Sequence, residues 1–219
     1  MTEITNYITN DYKAIDSQET IATVQDFFGE LTFSHFPVVN EGIYIGSIAS
    51  EDIETFDGLK KVYDYRYALE GFFAREKMIW LDVLEVFAKN NTDLVPVLND
   101  NNNYLGYYEI RDIIKFFHET PFLQETGGII VVQKKTLGYS VGEITQIIES
   151  NNGKILGLFV SQSDFENTQV TIKISLGIMN EIIQSFRRYN YEIISEHFED
   201  NYINTLKDRS DYLDKYLNI

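Results

Sequence analysis

Apolar positions in the first half of the chain follow two alternating periods, and the alternation occurs twice. Ile21, Val24, Phe28 and Leu31 stand at helical spacing, and the short apolar runs 36–39 and 44–48 follow them. The first pattern predicts an amphipathic helix. The second predicts a β-hairpin turned at Asn40-Glu41-Gly42. The order then returns, with Leu81, Leu84 and Ala88 flanked by Val83 and Phe87, then run 95–98, an Asn-rich turn over 99–103, and run 104–108. The offset between copies is 59 before the turn and 60 after it, so one insertion in the turn explains the difference. Asp16 and Glu19, ahead of the first helix, have the spacing of a capping box. Asp52 and Asp112 open a second helix in each copy, where a carboxylate accepts from free backbone N–H groups. Each copy therefore reads helix, strand, strand, helix, with a short strand before it near 12–15 and 72–75.

The period changes after residue 120. The stretch from His118 to Gly128 contains Pro121 and a Gly pair without sustained periodicity, which marks a boundary. Beyond it, run 128–132 predicts a strand. Ser140 and Glu143 have capping-box spacing ahead of Ile144, Ile147 and Ile148, and Asn152-Gly153 supplies the stop. Runs 155–160 and 170–174 predict strands separated by the polar segment 161–168. Met179, Ile182, Ile183 and Phe186 predict a helix ending near Tyr189-Asn190, and 191–195 a last strand. The order βαββαβ is the ferredoxin-like split arrangement. The tail 200–219 carries Tyr202, Leu206, Tyr212, Leu213, Tyr216 and Leu217 among charges and predicts a terminal helix that packs on this domain or on a second subunit.

Phe36-Pro37-Val38-Val39, then Gly46, then Asp52 six residues later, repeated as Val95-Pro96-Val97-Leu98, Gly106 and Asp112, resembles a tandem pair of cystathionine β-synthase (CBS) domains over about residues 10–118. The resemblance implies two pseudo-twofold clefts that bind adenosine nucleotides or related ligands. It places the motif glycines Gly46 and Gly106 at those clefts and assigns ribose hydroxyls to Asp52 and Asp112; the competing reading of both is as helix caps. In the family a Thr or Ser three residues before the Asp contacts phosphate. Here those positions hold Ala49, without a hydroxyl, and Glu109, which would repel phosphate, with Ser50 and Arg111 as neighbouring substitutes. The Tyr and Phe excess reads mostly as packing, with Tyr107 and Tyr108 the two that a base could reach at the second cleft, and Trp80, aligned with Ile21, fills the core.

The second half, with Asn151-Asn152-Gly153 leading into an Ile-rich strand, resembles an ACT domain, which implies an amino-acid site at an interface. Gly138, with Tyr139 and Ser140, is the nearest match to the family's ligand-loop glycine, and Ser140 reads more readily as a helix cap. The expected fold class is thus α+β, a tandem CBS pair over 1–120 (copies about 10–58 and 70–118), then an ACT-like domain over 121–199 and a C-terminal helix over 200–219. This combination is similar to CBS/ACT proteins of the acetoin-utilisation type, and both modules imply a homodimer.

Composition narrows the partners. The 219 residues carry a net charge of −16, and residues 1–120 hold 21 acidic against 9 basic side chains. That balance excludes a nucleic-acid binder, whose phosphate contacts need Lys and Arg clusters. It also removes electrostatic steering of a polyanion such as ATP. With 44% apolar residues the chain is a folded one, and the absence of cysteine excludes disulfides, thiolate metal sites and a Cys nucleophile. The N-terminus lacks a targeting pattern, and no apolar run approaches the roughly 20 residues of a membrane span, so a cytoplasmic protein without a membrane partner is expected. His35, His118 and His197 belong to no metal or triad motif and read as structural. No cofactor, metal or catalytic residue is expected. The leading expectation is a non-catalytic, metabolite-sensing regulatory protein whose CBS pair binds an adenosine-type small molecule. The alternative is an interaction module with degenerate, ligand-free sites, and an enzyme comes third.

Overall fold

The computed structural model describes residues 4–175 and 179–195, and the chain divides into two units, Met1–Phe117 and His118–Ile219. The helix expected over 200–219, and His197, lie outside the described residues.

The first unit is a doubled βαββα motif. Copy one comprises β1 (Ile15–Asp16), α1 (Ile21–Glu30), β2 (His35–Asn40), β3 (Ile43–Ala49) and the single turn α2 (Ser50–Ile53). Copy two comprises β4 (Ala74–Arg75), α3 (Trp80–Asn90), β5 (Leu94–Leu98), β6 (Tyr104–Glu109) and α4 (Ile110–His118). In each copy the short first strand pairs parallel with the next one, and the hairpin follows antiparallel, giving two three-stranded sheets. Both hairpins slip register at the same point, so that Ile45 and Leu105 are the extra residues of matching bulges. The second helices differ in length. The first, α2, stops at Ile53 after one turn with Glu54 as its C-cap, whereas α4 runs on through Lys115, Phe116 and Phe117 to His118.

The two copies exchange contacts. The segment leading into copy one pairs with the hairpin of copy two, Thr9 and Tyr107 exchanging backbone hydrogen bonds of 3.0 and 2.9 Å. The segment leading into copy two does the same on copy one, Glu70 and Ser47 exchanging bonds of 2.8 Å. Leu94 and Tyr107 of copy two complete the apolar cluster of Ile21, Val24, Phe36, Val38 and Ile53 in copy one. Ala74, Val83, Phe87, Val95, Val97, Tyr108 and Ile113 form the second cluster. Burying a side chain of this size contributes about 1.5–3 kcal/mol, so the swapped pair ties the copies into one cooperative body.

The first predicted cap is displaced. Thr20 caps α1, accepting from Thr23 N–H at 3.3 Å. Asp16 and Glu19 instead close the turn before it: the Glu19 carboxylate accepts from Asp16 N–H and the Asp16 carboxylate from Gln18 N–H. Pairing of Asp16 with Val39 holds Asp16 in β1, one turn too early for the helix.

The second unit contains a short helix α5 (Pro121–Gln124), then β7 (Gly127–Lys135), α6 (Val141–Ser150), β8 (Ile155–Ser163), β9 (Asn167–Ser175), α7 (Met179–Arg188) and β10 (Glu192–Ile193). Its sheet runs β10-β7-β9-β8 with every neighbour antiparallel. Each βαβ crossover therefore brackets an inserted strand. Ile130, Val132, Val170, Ile172 and Ile174 pack on Ile144, Ile147, Ile148, Ile182, Ile183 and Phe186 of the two helices. Ser140 caps α6 by accepting from Glu143 N–H at 3.4 Å, but the Glu143 carboxylate turns to Lys134 at 2.6 Å instead of closing a box.

Candidate functional site

The expected ligand residues lie on the hairpin ends and second helices of the first unit, with Gly138 alone in the second. Gly46 and Gly106 sit where the incoming segments cross. A Cβ on Gly46 would meet the Leu69 Cβ at 2.6 Å, and one on Gly106 the Thr9 carbonyl oxygen at 2.5 Å. Their φ values of +144° and +150° disfavour any other residue as well. Both glycines thus serve the close approach of the linking segments.

The helix starts come next. Ala49 precedes α2 with extended backbone and makes no side-chain cap bond. Asp52 and Asp112 lie inside the first turns, not ahead of them, and neither carboxylate accepts a backbone N–H of its helix start. The cap reading of both is corrected for that reason. Their surroundings differ. The half-buried Asp52 carboxylate has no hydrogen bond or ion pair among the described residues, whereas Asp112 is held by Lys115 at 2.5 Å. Glu109, only 13% exposed, is paired with Arg111 at 2.7 Å. Three expected groups of copy two are therefore committed to neighbours.

Tyr107 and Tyr108 are fully buried, which corrects the expectation that they face a base. Both take part in the core, Tyr107 in the first cluster and Tyr108 in the second. Their hydroxyls, and that of Tyr104, have no hydrogen-bond partner among the described residues. Burial raises the Tyr107 hydroxyl above its ordinary value, and the nearby Tyr12 backbone opposes that rise. Burial pushes the Tyr108 hydroxyl up to about 12, with the Glu76 charge adding to the rise. Trp80, expected in the core, is only partly buried and packs beside that second cluster.

Sequence reasoning missed the polar centre between the copies. Ser34 and Asp93 occupy equivalent positions, three before each strand proline, and they meet: Ser34 N–H and Oγ donate to the Asp93 carboxylate at 3.1 and 3.0 Å. Asp93 N–H returns a bond to Ser34 Oγ at 3.3 Å. His35 Nδ1 lies 3.0 Å from Ser34 Oγ, and its Nε2 lies 3.5 Å from Glu70. The shared offset of 59 was the available signal, since equivalent residues near a twofold axis face each other. Two hollows flank Ser34. One of about 340 Å³ is lined by Gln25, Thr32, Ser34, Ser50 and Glu54 among others, and its counterpart of about 360 Å³ by Leu84, Phe87, Asn91, Thr92 and Ile110. The counterpart is the less polar of the two.

In the second unit Gly138 is exposed, and a Cβ there would meet only Lys134 Cε at 3.8 Å. Beside it Lys134 bonds Glu143 and lies over the Tyr191 ring at 4.4 Å. That pair and a hydrogen bond from Tyr191 hold the Glu143 carboxyl below its usual range. Among the described residues no group of three acidic or imidazole side chains is placed to hold a metal ion. No described helix is long and apolar enough to cross a membrane.

Comparison with known proteins finds a family match within copy two and longer, weaker likenesses. The family model described as the CBS domain matches residues 72–119. The inosine-5'-monophosphate dehydrogenase of Methanocaldococcus jannaschii is 26% identical over 110 residues, covering 49% of this chain and 22% of that protein. An uncharacterized protein of the same organism is 24% identical over 146 residues, covering 64% and 52%. The chain thus spans about a fifth and about half of these relatives. A CBS domain pair/ACT domain protein from Thermotoga maritima aligns with a TM-score of 0.49 and 16% identity, over 54% of this chain and 98% of that one.

Proposed function

We propose that the chain is a non-catalytic regulatory protein whose first unit binds an adenosine-type small molecule through copy one. The observation that carries this reading is the half-buried Asp52 carboxylate, which does not cap its helix and pairs with no cation among the described residues. A carboxylate accepts two hydroxyl donors side by side, which suits the vicinal diol of a ribose. Hydrogen bonds to a charged group contribute about 1.5–3 kcal/mol, so leaving such an acceptor idle in the bound state would be costly. With Ala49 in the place of a phosphate-contacting hydroxyl, and with the unit's negative charge, the ligand we favour is a nucleoside or a weakly charged derivative, not a triphosphate. Sensing then requires that the ligand bind one arrangement of the unit better than another.

The second unit has the strand order of a ferredoxin-like fold, and we extend the ACT-like reading to it, with an amino acid at the open Gly138 loop. A homodimer and a cytoplasmic location belong to the same proposal. The dehydrogenase relative aligns over too little of its length for its catalysis to transfer.

A second reading, an interaction module with ligand-free clefts, is favoured for copy two by the Glu109–Arg111 and Asp112–Lys115 pairs, which occupy the groups a ligand would use. Calorimetric titration of the full chain with adenosine, AMP, ATP and S-adenosylmethionine separates the two. We expect saturable heat with adenosine at least as strong as with ATP, and a loss of tenfold or more in affinity in Asp52→Asn but not in Asp112→Asn. No saturable heat at concentrations that detect tens of micromolar affinity leaves the interaction module as the answer.

A further inference from the structure

Both copies begin their second helix on the same kind of bond. Ser50 N–H, at the start of α2, donates to the Ser34 carbonyl at 2.8 Å, and Ile110 N–H, at the start of α4, donates to the Asp93 carbonyl at 3.0 Å. The first N–H groups of a helix have no partner inside it, so the group that accepts them places the helix start. In α2 no side chain shares that task, since Ala49 occupies the cap and makes no cap bond. Length does not help either. The helix is a single turn, Ser50–Ile53, and Gln25 Nε2 holds its far end by donating to the Ile53 carbonyl at 2.9 Å. The direction of Asp52 is therefore set from two points. Gln25 belongs to the same copy, and Ser34 stands at the polar centre between the copies.

Ser34 is itself held from the other copy. Its N–H and Oγ donate to the Asp93 carboxylate at 3.1 and 3.0 Å, and its Oγ accepts from Asp93 N–H at 3.3 Å. Hydrogen bonds to an ionised acceptor are the stronger kind, so this contact fixes the residue whose carbonyl receives α2. The two hollows meet here: Ser34 and Ser50 wall that of copy one, and Ser34, Asp93 and Ile110 that of copy two. We propose that Asp93 of copy two is a positioning residue for the copy-one site, acting through Ser34 on the start of α2 and so on the Asp52 carboxylate. Copy one then lacks a properly placed acceptor without copy two. The dependence runs mainly one way. Helix α4 continues for nine residues, and its own internal bonds hold Asp112 in place. The effect on binding rests on the reading of Asp52 as the acceptor of the ligand's hydroxyls; the positioning itself does not.

Amide hydrogen exchange on the full chain reads the positioning without any ligand. In Asp93→Ala, exchange at the Ser50 amide should accelerate about tenfold against the β2–β3 amides of the same copy, which is the scale of one hydrogen bond. Taking the ratio removes any general loss of stability. Asp93→Asn keeps one acceptor oxygen and should give an intermediate ratio, and it stands in if the alanine variant does not fold. A Ser50 ratio equal to the parent's in the folded variants overturns the proposal. Calorimetry with adenosine then separates the positioning from the site it serves. Where the parent binds, Asp93→Ala should lose about tenfold in affinity at a temperature well below its melting midpoint, and Asp93→Asn should lose less. An unchanged affinity would sink the proposal while leaving Asp52 as a ligand group. A parent that binds no adenosine removes the Asp52 reading, whereas an altered Ser50 ratio still supports the positioning.

Discussion

Copy one closes its hairpin with Ser47 and Ile48, whereas copy two has Tyr107 and Tyr108 at the same places on the same backbone. The change propagates. In copy one the Tyr44 hydroxyl lies 2.9 Å from Ser47 Oγ and donates to the Phe72 carbonyl at 2.8 Å. Its counterpart Tyr104 faces Tyr107 where the serine would be, and its hydroxyl has no hydrogen-bond partner among the described residues. Copy two has spent its hairpin on apolar burial, and its acidic groups on Arg111 and Lys115. Copy one keeps a satisfied polar hairpin and, among the described residues, an unpaired Asp52 carboxylate. A duplicated fold thus holds two chemically different hairpins and helix starts, and the difference is sharpened or broken by changing equivalent residues in pairs.

The largest effect is expected where the copies are most alike. Gly106→Ala would drive a Cβ into the Thr9 carbonyl at 2.5 Å and the Ile8 side chain at 2.7 Å; Gly46→Ala would drive one into Leu69. Each should cost about 3 kcal/mol in urea denaturation, with Gly106→Ala the worse because the obstructing atom is backbone that Tyr107 N–H needs as acceptor. A near-native midpoint in either would mean that the incoming segments do not bind the copies together.

The twofold centre comes second. Asp93→Ala strands the Ser34 N–H and hydroxyl together and should cost about 2–3 kcal/mol, while Ser34→Ala removes one hydroxyl and should cost about 1 kcal/mol. Equal losses would show that the pair acts through packing alone. The tyrosine pair follows. Tyr44→Phe should cost about 1 kcal/mol and Tyr104→Phe should be neutral or stabilising, because only the first hydroxyl has partners to lose. The same groups set an alkaline limit. Burial pushes Tyr44 and Tyr108 up to about 12, so the unfolded chain ionises first. Stability from these groups is complete below about pH 10 and is lost as pH rises toward 12. Tyr108→Phe should flatten that decline in a pH series of urea midpoints, and an unaltered slope would contradict the assignment.

The repeat was legible because burial on both faces of the central strands produces the Pro-flanked apolar runs, and because insertions fall in turns such as 99–103. The order of strands and helices along the second unit was legible in its periods, whereas their order in the sheet was not. The end of β8 leaves no signal in the sequence, since its last three residues, Ser161, Gln162 and Ser163, are exposed and polar on an edge strand and have no apolar period. The pairing of Thr9 and Glu70 with the opposite copy leaves no local trace at all. Tyr107 and Tyr108 misled for a related reason. Successive strand residues point to opposite faces, which suggests that one of them is exposed, but in this double-sided core both faces are covered. Capping was misplaced because Ser, Asp and Thr near a helix start compete for the same role, and tertiary pairing of β1 decided among them.

The smallest expected effect decides between the two readings of the paired aspartates. A lost N-cap costs about 1 kcal/mol, and the bond-free Asp52 carboxylate in the first turn of a one-turn helix has no such bond to lose. Asp52→Asn should therefore leave the thermal midpoint within error of the parent. Asp112→Asn should do the same, because its partner Lys115 is 60% exposed and solvent screens the pair. The copies would then be equal in stability and unequal in binding, which is what residues retained for a ligand in one cleft and neutralised in the other must show. A drop in midpoint for Asp52→Asn, unaccompanied by any change in adenosine affinity, would instead make that carboxylate part of the scaffold.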